Sequence, residues 1–221
     1  MSSKKVIVGV SIVVTTFNDS SSIVSFLENI DSQSVRPQEL LIVDGGSTDE
    51  TVNKIEEYNR TSNIEISLVS DGQRRNISEG LNEGIKKSTK EWVLILGTGN
   101  YYDPNYLEAL WSAKLSSNSF VFYSNVLGLD QSKFAKIFNQ YFLNGNQPFD
   151  WEPSNHGVLI SREVFKKYGL FWENFYYAGE DSEFFNRITD EGLRCEYVNT
   201  TSVHWETPKN WKEFQKKMEV N

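Results

Sequence analysis

The sequence predicts an α/β fold in which helices cover a mostly parallel sheet. Three observations carry this: β-branched runs alternate with runs of helical period, the unit repeats about every 30 residues through the first hundred positions, and turn residues mark each change. Val6 to Thr15 reads as a strand ending at Thr16-Phe17-Asn18-Asp19. Behind the cap candidates Ser20 to Ser22, residues Ile23, Phe26, Leu27 and Ile30 recur at helical spacing. Leu40-Leu41-Ile42-Val43 is a short buried-type strand running into Asp44-Gly45-Gly46-Ser47, where Ser47 and Glu50 have capping-box spacing for a helix carrying Val52 and Ile55. Ile64, Ile66 and Leu68 alternate with polar neighbours as a strand should, Ile77, Leu81 and Ile85 mark a helix, and Trp92 to Leu96 a further strand. The second half is less regular, with a helix predicted from Pro104 to Lys114, a strand at Phe120 to Tyr123, an aromatic helix near Phe134 to Phe142 and a helix opening at Glu180-Asp181.

A chain of 221 residues fits one domain, 1–221, better than two. The net charge of −8 argues against a nucleic-acid partner, because phosphate backbones are met by basic surface, so an anionic ligand would have to be met locally. A lone Cys195 excludes an internal disulfide, and no apolar run approaches the roughly 20 residues that span a bilayer. With no cleavable leader at Met1, a cytoplasmic location is expected, with any membrane contact peripheral.

Strand–helix alternation implies right-handed crossovers and a ligand site beyond the carboxyl ends of the strands, which singles out the loops after Thr15, Val43 and Leu96. In Asp44-Gly45-Gly46-Ser47-Thr48-Asp49 a carboxylate at a strand end can accept hydrogen bonds from a base or a ribose, while the glycines let a ligand approach the backbone. The same residues would also serve as a plain helix-capping turn.

In order, the strand Val10 to Thr15 with Thr16-Phe17-Asn18, then Leu40 to Asp49, then Asn82-Glu83-Gly84-Ile85 before Trp92 to Leu96, resembles the nucleotide-binding half of family 2 glycosyltransferases, which have the GT-A fold. His156-Gly157-Val158-Leu159-Ile160-Ser161-Arg162, Tyr168-Gly169-Leu170-Phe171 and Gly179-Glu180-Asp181 are similar to the family's acceptor-side segment. The resemblance covers roughly Val6 to His204. It implies a Rossmann-like, mixed but mostly parallel sheet flanked by helices, with a nucleotide-binding half at about 5–103 and an acceptor half at about 104–221. It further implies that Asp44 contacts the base, usually uracil, that Thr15, Thr16 and Phe17 line the same pocket, and that Asp71, Arg74 and Arg75 approach base and diphosphate from the other side. Arginine suits that task through its planar, bidentate fork.

By the same resemblance Asp181 takes the catalytic-base position, deprotonating an acceptor hydroxyl that attacks the anomeric carbon and inverts it. Glu180 and Asp181 would equally cap a helix. Glu180, His156 and Trp151 are the acceptor-binding candidates, Trp151 as a platform for a pyranose in a loop rich in Asn and Gln.

Where the family places an acidic, metal-holding triplet, this chain has Gly97-Thr98-Gly99-Asn100, with no carboxylate before Asp103. Three readings stay open. The backbone N–H groups of Gly97 to Asn100 form an anion nest and arginines neutralise the diphosphate. A weakly held or dispensable Mn²⁺ or Mg²⁺ sits on the diphosphate with Asn100 and His204 as ligands. Or catalysis is lost and a sugar-nucleotide- or glycan-binding module remains. The function expected is inverting transfer from a nucleotide-diphosphate sugar, a UDP-sugar first, to a glycan or lipid-linked acceptor. A nucleotidyltransferase is disfavoured by the lack of a basic glycine-rich loop near the first strand. Finally, Phe134, Ile137, Phe138, Tyr141 and Phe142 form a stripe suited to the core or to a membrane surface, and Lys209, Lys212, Lys216 and Lys217 a basic helix face.

Overall fold

The computed structural model describes residues 5–142, 153–175 and 179–219. Among them β1 (Ile7–Thr16), β2 (Arg36–Asp44), β3 (Ile66–Val69), β4 (Trp92–Gly97), β5 (Asn100–Tyr102), β6 (Val121–Gly128), β7 (Gly157–Ser161) and β8 (Glu196–Trp205) form one sheet in the order β3-β2-β1-β4-β7-β6-β8-β5. The helices are α1 (Ile23–Ser32), α2 (Thr51–Asn59), α3 (Ile77–Lys87), α4 (Tyr106–Ser116), α5 (Lys133–Phe142), α6 (Arg162–Tyr168), α7 (Glu180–Asp190) and α8 (Trp211–Glu219). β3, β2, β1 and β4 pair in parallel through helical crossovers, whereas β7 enters antiparallel between β4 and β6. The alternation of the first hundred residues therefore produced the parallel block it implied.

Burial follows the two-residue period of the strands. Ile12 and Val14 of β1 face a cluster with Phe26 and Ile30 of α1, Ile55 of α2 and Leu110 of α4, while Val13 faces the other side with Leu81 and Ile85 of α3 and Phe184, Phe185 and Ile188 of α7. Helices thus seal both faces of the sheet, as the near-continuous apolar runs of β1, β2 and β4 demand. α3 comes unusually close because it presents Gly80 and Gly84 to β1: a Cβ on Gly80 would lie 2.6 Å from Thr15 Cγ2, and one on Gly84 2.5 Å from Val13 Cγ1.

Three local expectations change. Ser47 and Glu50 make no capping box. Glu50 is the N-cap of α2 without a side-chain bond, and Asp49 takes over, accepting from the N–H and hydroxyl of Thr51 at 3.0 and 2.5 Å. The capping box that does form belongs to α3, where Asn76 accepts from the N–H of Glu79 at 2.9 Å and Glu79 from that of Asn76 at 2.8 Å. β5 was not foreseen, because three residues carry too little pattern to read, and β6 runs well past Tyr123 to pair with β8.

Gly84→Ala should cost about 1–3 kcal/mol. A stiff valine cannot swing away from the new methyl, and overpacking of that order exceeds the roughly 0.5–1 kcal/mol of helix propensity that alanine contributes. Urea unfolding of the variant checks this, and an unchanged or raised midpoint would show that α3 can retreat from the sheet freely.

Candidate functional site

The register of β1 builds the site. Thr16 is level with Asp44 of β2, and Thr15 with Gly97 of β4, so the ends of three adjacent parallel strands share one rim. Antiparallel β7 begins opposite Leu96, which brings Asn155 and His156 to the same rim. Tyr102, fully buried, ties it together: its hydroxyl accepts from the N–H of Gly97 at 2.8 Å and donates to the carbonyl of His156 at 2.7 Å. Burial pushes this phenol well above its usual range, so it stays a neutral donor.

Asp44 is 1% exposed. Its carboxylate accepts from the N–H groups of Gly46 and Ser47 at 3.1 to 3.2 Å and from Ser70 Oγ at 3.3 Å. Gly46 lies at φ +85°, and a Cβ there would stand 3.0 Å from the carbonyl of Gln73. Only glycine lets residues 71–75 lie across this turn. From that segment Arg75 forms a bidentate pair with Asp71, at 2.7 and 2.6 Å, which holds the Asp71 carboxyl well below the usual carboxylate range. Arg74 instead lays its guanidinium 3.6 Å from the centroid of the Phe17 ring and donates to the carbonyl of Gly45 at 3.2 Å. Thr15, Thr16, Phe17, Asp44, Asp71, Arg74 and Arg75 are therefore neighbours, although the two arginines have different partners.

The run from Gly97 to Asn100 departs from expectation. Neither Gly97 nor Gly99 adopts positive φ, the N–H of Gly97 is held by Tyr102, and Asn100 belongs to β5. Four free N–H groups aimed at one anion are thus not available, and the nest is corrected to a turn leading into a strand. The metal pairing fails too. Asn100 stands opposite Trp205 and His204 opposite Tyr101, so the two side chains leave the β5–β8 ladder on opposite faces. Asn100 lies 3.3 Å from His156 Nδ1, whereas His204 Nε2 is 2.8 Å from Asp103 Oδ1, whose Oδ2 accepts from the N–H of Ser202. Among the described residues no three His, Cys, Asp or Glu side chains converge as a cation would require. The carboxylate that does reach Thr98 comes from Asp19, at 2.5 Å from the Thr98 hydroxyl and 3.0 Å from that of Thr16. One carboxylate among neutral hydroxyls is not the acidic triplet with which, by the family resemblance, a Mn²⁺ or Mg²⁺ would be held.

In the second half of the chain, Gly179 at φ +104° turns the backbone into α7, which presents Glu180 and Asp181 in its first turn. Glu180 is buried and accepts from Asn155 Nδ2 at 3.0 Å, whereas Asp181 is half-buried and accepts from the N–H of Ser182 at 2.8 Å; the N-cap itself is Gly179, so neither carboxylate caps the helix. Phe184, Phe185 and Ile188 anchor the helix below, and Arg187 pairs with Glu183 while holding the carbonyls of Tyr168 and Leu170. His156 packs edge-on against Trp205 at 6.0 Å. Trp151 and the loop around it lie outside the described residues. Sequence reading overlooked Asp19, Tyr102 and Asn155. Asp19 stood in plain view at the end of the first strand, but nothing local shows that it meets Thr98, 79 residues away.

Burial raises the carboxyl of Glu180, and the neighbouring charge of Asp181 adds to the effect. A raised folded value contributes stability that is present below the unfolded carboxylate range and is lost as pH rises through the folded one. Glu180→Gln should remove that loss, since the new amide finds Asn155 Oδ1, buried and without a partner, as acceptor. Thermal unfolding should then show an advantage of the variant over the wild type at pH 8 that disappears near pH 4. A difference independent of pH would mean that Glu180 titrates as an ordinary glutamate.

The model of the family described as Glycosyl transferase family 2 matches residues 11–169. The chain is 25% identical over 210 residues to a dolichyl N-acetyl-alpha-D-glucosaminyl phosphate 3-beta-D-2,3-diacetamido-2,3-dideoxy-beta-D-glucuronosyltransferase of Methanococcus voltae, covering 88% of this chain and 65% of that protein. It is 28% identical over 95 residues to a poly-beta-1,6-N-acetyl-D-glucosamine synthase of Staphylococcus epidermidis, covering 43% of this chain and 23% of that one. Among solved structures, S. aureus TarS 1-349 in complex with UDP-GlcNAc superposes with a TM-score of 0.73 at 16% identity, over 93% of this chain and 60% of that one. The mannosyltransferase PcManGT of Pyrobaculum calidifontis, in complex with GDP-Man and Mn²⁺, does so with 0.70 at 21% identity, over 91% and 58%. The chain therefore spans less than two thirds of the length of each of these relatives, and at such identities the solved structures establish its fold as GT-A.

Proposed function

The chain belongs to glycosyl transferase family 2, and from that premise we propose that it moves a sugar from a nucleotide-diphosphate donor, a UDP-sugar first, to a hydroxyl of a glycan or lipid-linked acceptor with inversion. One observation carries the reading: Asp44, the end of β1 and the start of α7 with Asp181 are gathered at a single rim, linked through Gly97, Asn155 and Glu180. TarS holds UDP-GlcNAc on the same fold, and the M. voltae relative is named for a dolichyl phosphate-linked sugar, which supports the donor and acceptor classes.

In this reading the base stacks against Phe17 near Asp44, and the diphosphate extends along the rim toward Thr98. Asp181 takes the proton of the acceptor hydroxyl as its oxygen bonds to the anomeric carbon. The bond from that carbon to the diphosphate breaks on the opposite face, and the electron pair leaves with the nucleoside diphosphate. A divalent metal would supply charge to that leaving group in the family at large. The described residues form no acidic cluster that would hold one, and in this reading Arg74, whose guanidinium lies on Phe17, turns to the phosphates in its place. A second reading, a binding module without transfer, is favoured by the same lack of carboxylates between Gly97 and Asn100.

Screening UDP-, GDP- and dTDP-sugars for turnover separates the two. We expect transfer that changes little when EDTA replaces Mn²⁺, retained UDP binding in Asp181→Asn, and a loss of at least about 100-fold in the rate of that variant, the usual weight of a positioned base. UDP binding without turnover under any condition would establish the module instead.

No helix among the described residues is long and apolar enough to cross a membrane. Phe138 of the aromatic stripe packs on Trp205 and Phe214, but Ile137, Tyr141 and Trp211 remain 48%, 78% and 60% exposed, next to Lys133, Lys136 and Lys212. Peripheral contact with an anionic bilayer through this corner follows as a proposal. The protein should float with phosphatidylglycerol vesicles and not with phosphatidylcholine vesicles, and Ile137→Ser with Tyr141→Ser should release it. Equal behaviour toward both vesicle types would count against it.

A further inference from the structure

Arg74 and Arg75 are adjacent in sequence but engaged in different ways. Arg75 is locked in a bidentate pair with Asp71, and its side chain is 12% exposed. Arg74 is exposed, and its guanidinium lies flat-ring distance from Phe17, 3.6 Å from the centroid, steadied by one hydrogen bond to the carbonyl of Gly45. Phe17 is half-buried between the end of β1 and the Asp44 turn, and the segment that carries Arg74 crosses that turn.

Resting on the donor-pocket reading above, we propose that Arg74 makes the pocket discriminate nucleoside diphosphates from nucleosides, by holding the Phe17 face that a base must take and releasing it in exchange for phosphate. The chemistry is one of competition. A planar base and a planar guanidinium both gain by lying on an aromatic ring, and they cannot share one face. A base that arrives without phosphate removes the guanidinium from the ring and from the Gly45 carbonyl and offers it nothing. A base that carries a diphosphate supplies oxygens matched to the same fork, so the displaced side chain exchanges a cation–π contact for charge-assisted bidentate bonds. Arg75 cannot substitute without leaving Asp71. Selectivity thus arises from a residue that opposes the base and favours the phosphates, and it is reported by the ratio of two affinities rather than by either alone.

Calorimetry with uridine and UDP on the full chain tests this, with guanosine and GDP in parallel and with Phe17→Leu as a second variant. Arg74→Ala should bind uridine about threefold to tenfold more tightly than the wild type and UDP about tenfold more weakly, a crossing that loss of fold or of a simple contact would not produce. Phe17→Leu should weaken uridine. If Arg74→Ala weakens both ligands, the guanidinium sandwiches the base and the proposal is overturned. It is overturned equally if the wild type binds UDP and neither affinity moves. If neither the wild type nor any variant binds any of the four ligands, the donor-pocket reading itself fails, and this inference falls with it.

Discussion

A central parallel strand has no room to slip. β1 bonds β2 along one edge and β4 along the other, and its residues alternate between two separately sealed cores, so a shift of one position would turn Ile12 and Val14 out of one core and Val13 out of the other. Because the register is fixed by burial, the places where the three strands end are fixed as well. Thr16, Asp44 and Gly97 fall side by side as a by-product of core packing. The candidate rim is therefore as fixed as the sheet, because these residues are the last of their strands.

Amide side chains then secure what the sheet cannot reach. Asn29 of α1 bonds both the N–H and the carbonyl of Tyr102, and Asn82 of α3 does the same for Phe171, each imitating the pairing of a neighbouring strand. Both are buried, where an unpaired amide would be costly, so each is committed to its peptide. Asn29 positions the tyrosine that ties Gly97 to His156, and Asn82 positions the stretch leading toward α7. Two asparagines thereby connect helices on opposite faces of the sheet to the two halves of the rim.

Much of this was legible in the chain itself. β-branched runs and helical periodicities are local signals, and the parallel block β3-β2-β1-β4 with its helices emerged where they placed it. The order of the loops also singled out the Asp44 turn as a candidate site element, and the family resemblance added the helix that carries Asp181. What stayed hidden depends on pairing between distant residues. The antiparallel entry of β7 and the short β5 have no local mark, and the bond of His204 to Asp103 joins positions 101 residues apart, which is why His204 and Asn100 could be taken for partners when the ladder sends them to opposite faces. The Asn76–Glu79 capping box, in contrast, was readable as Asn-x-x-Glu and was passed over in favour of a spacing at Ser47 that Asp49 supersedes.

The inward-bonded carboxylate of Asp44 bears on how such chains change over generations. Its oxygens shape their own turn through the N–H groups of Gly46 and Ser47, so replacing it would damage the loop whether or not anything ever binds there. Selection for folding alone would then preserve the aspartate long after a ligand had ceased to matter. Persistence of that residue in a lineage is a record of architecture, and a record of use has to be sought in side chains that the fold can spare, such as Arg74.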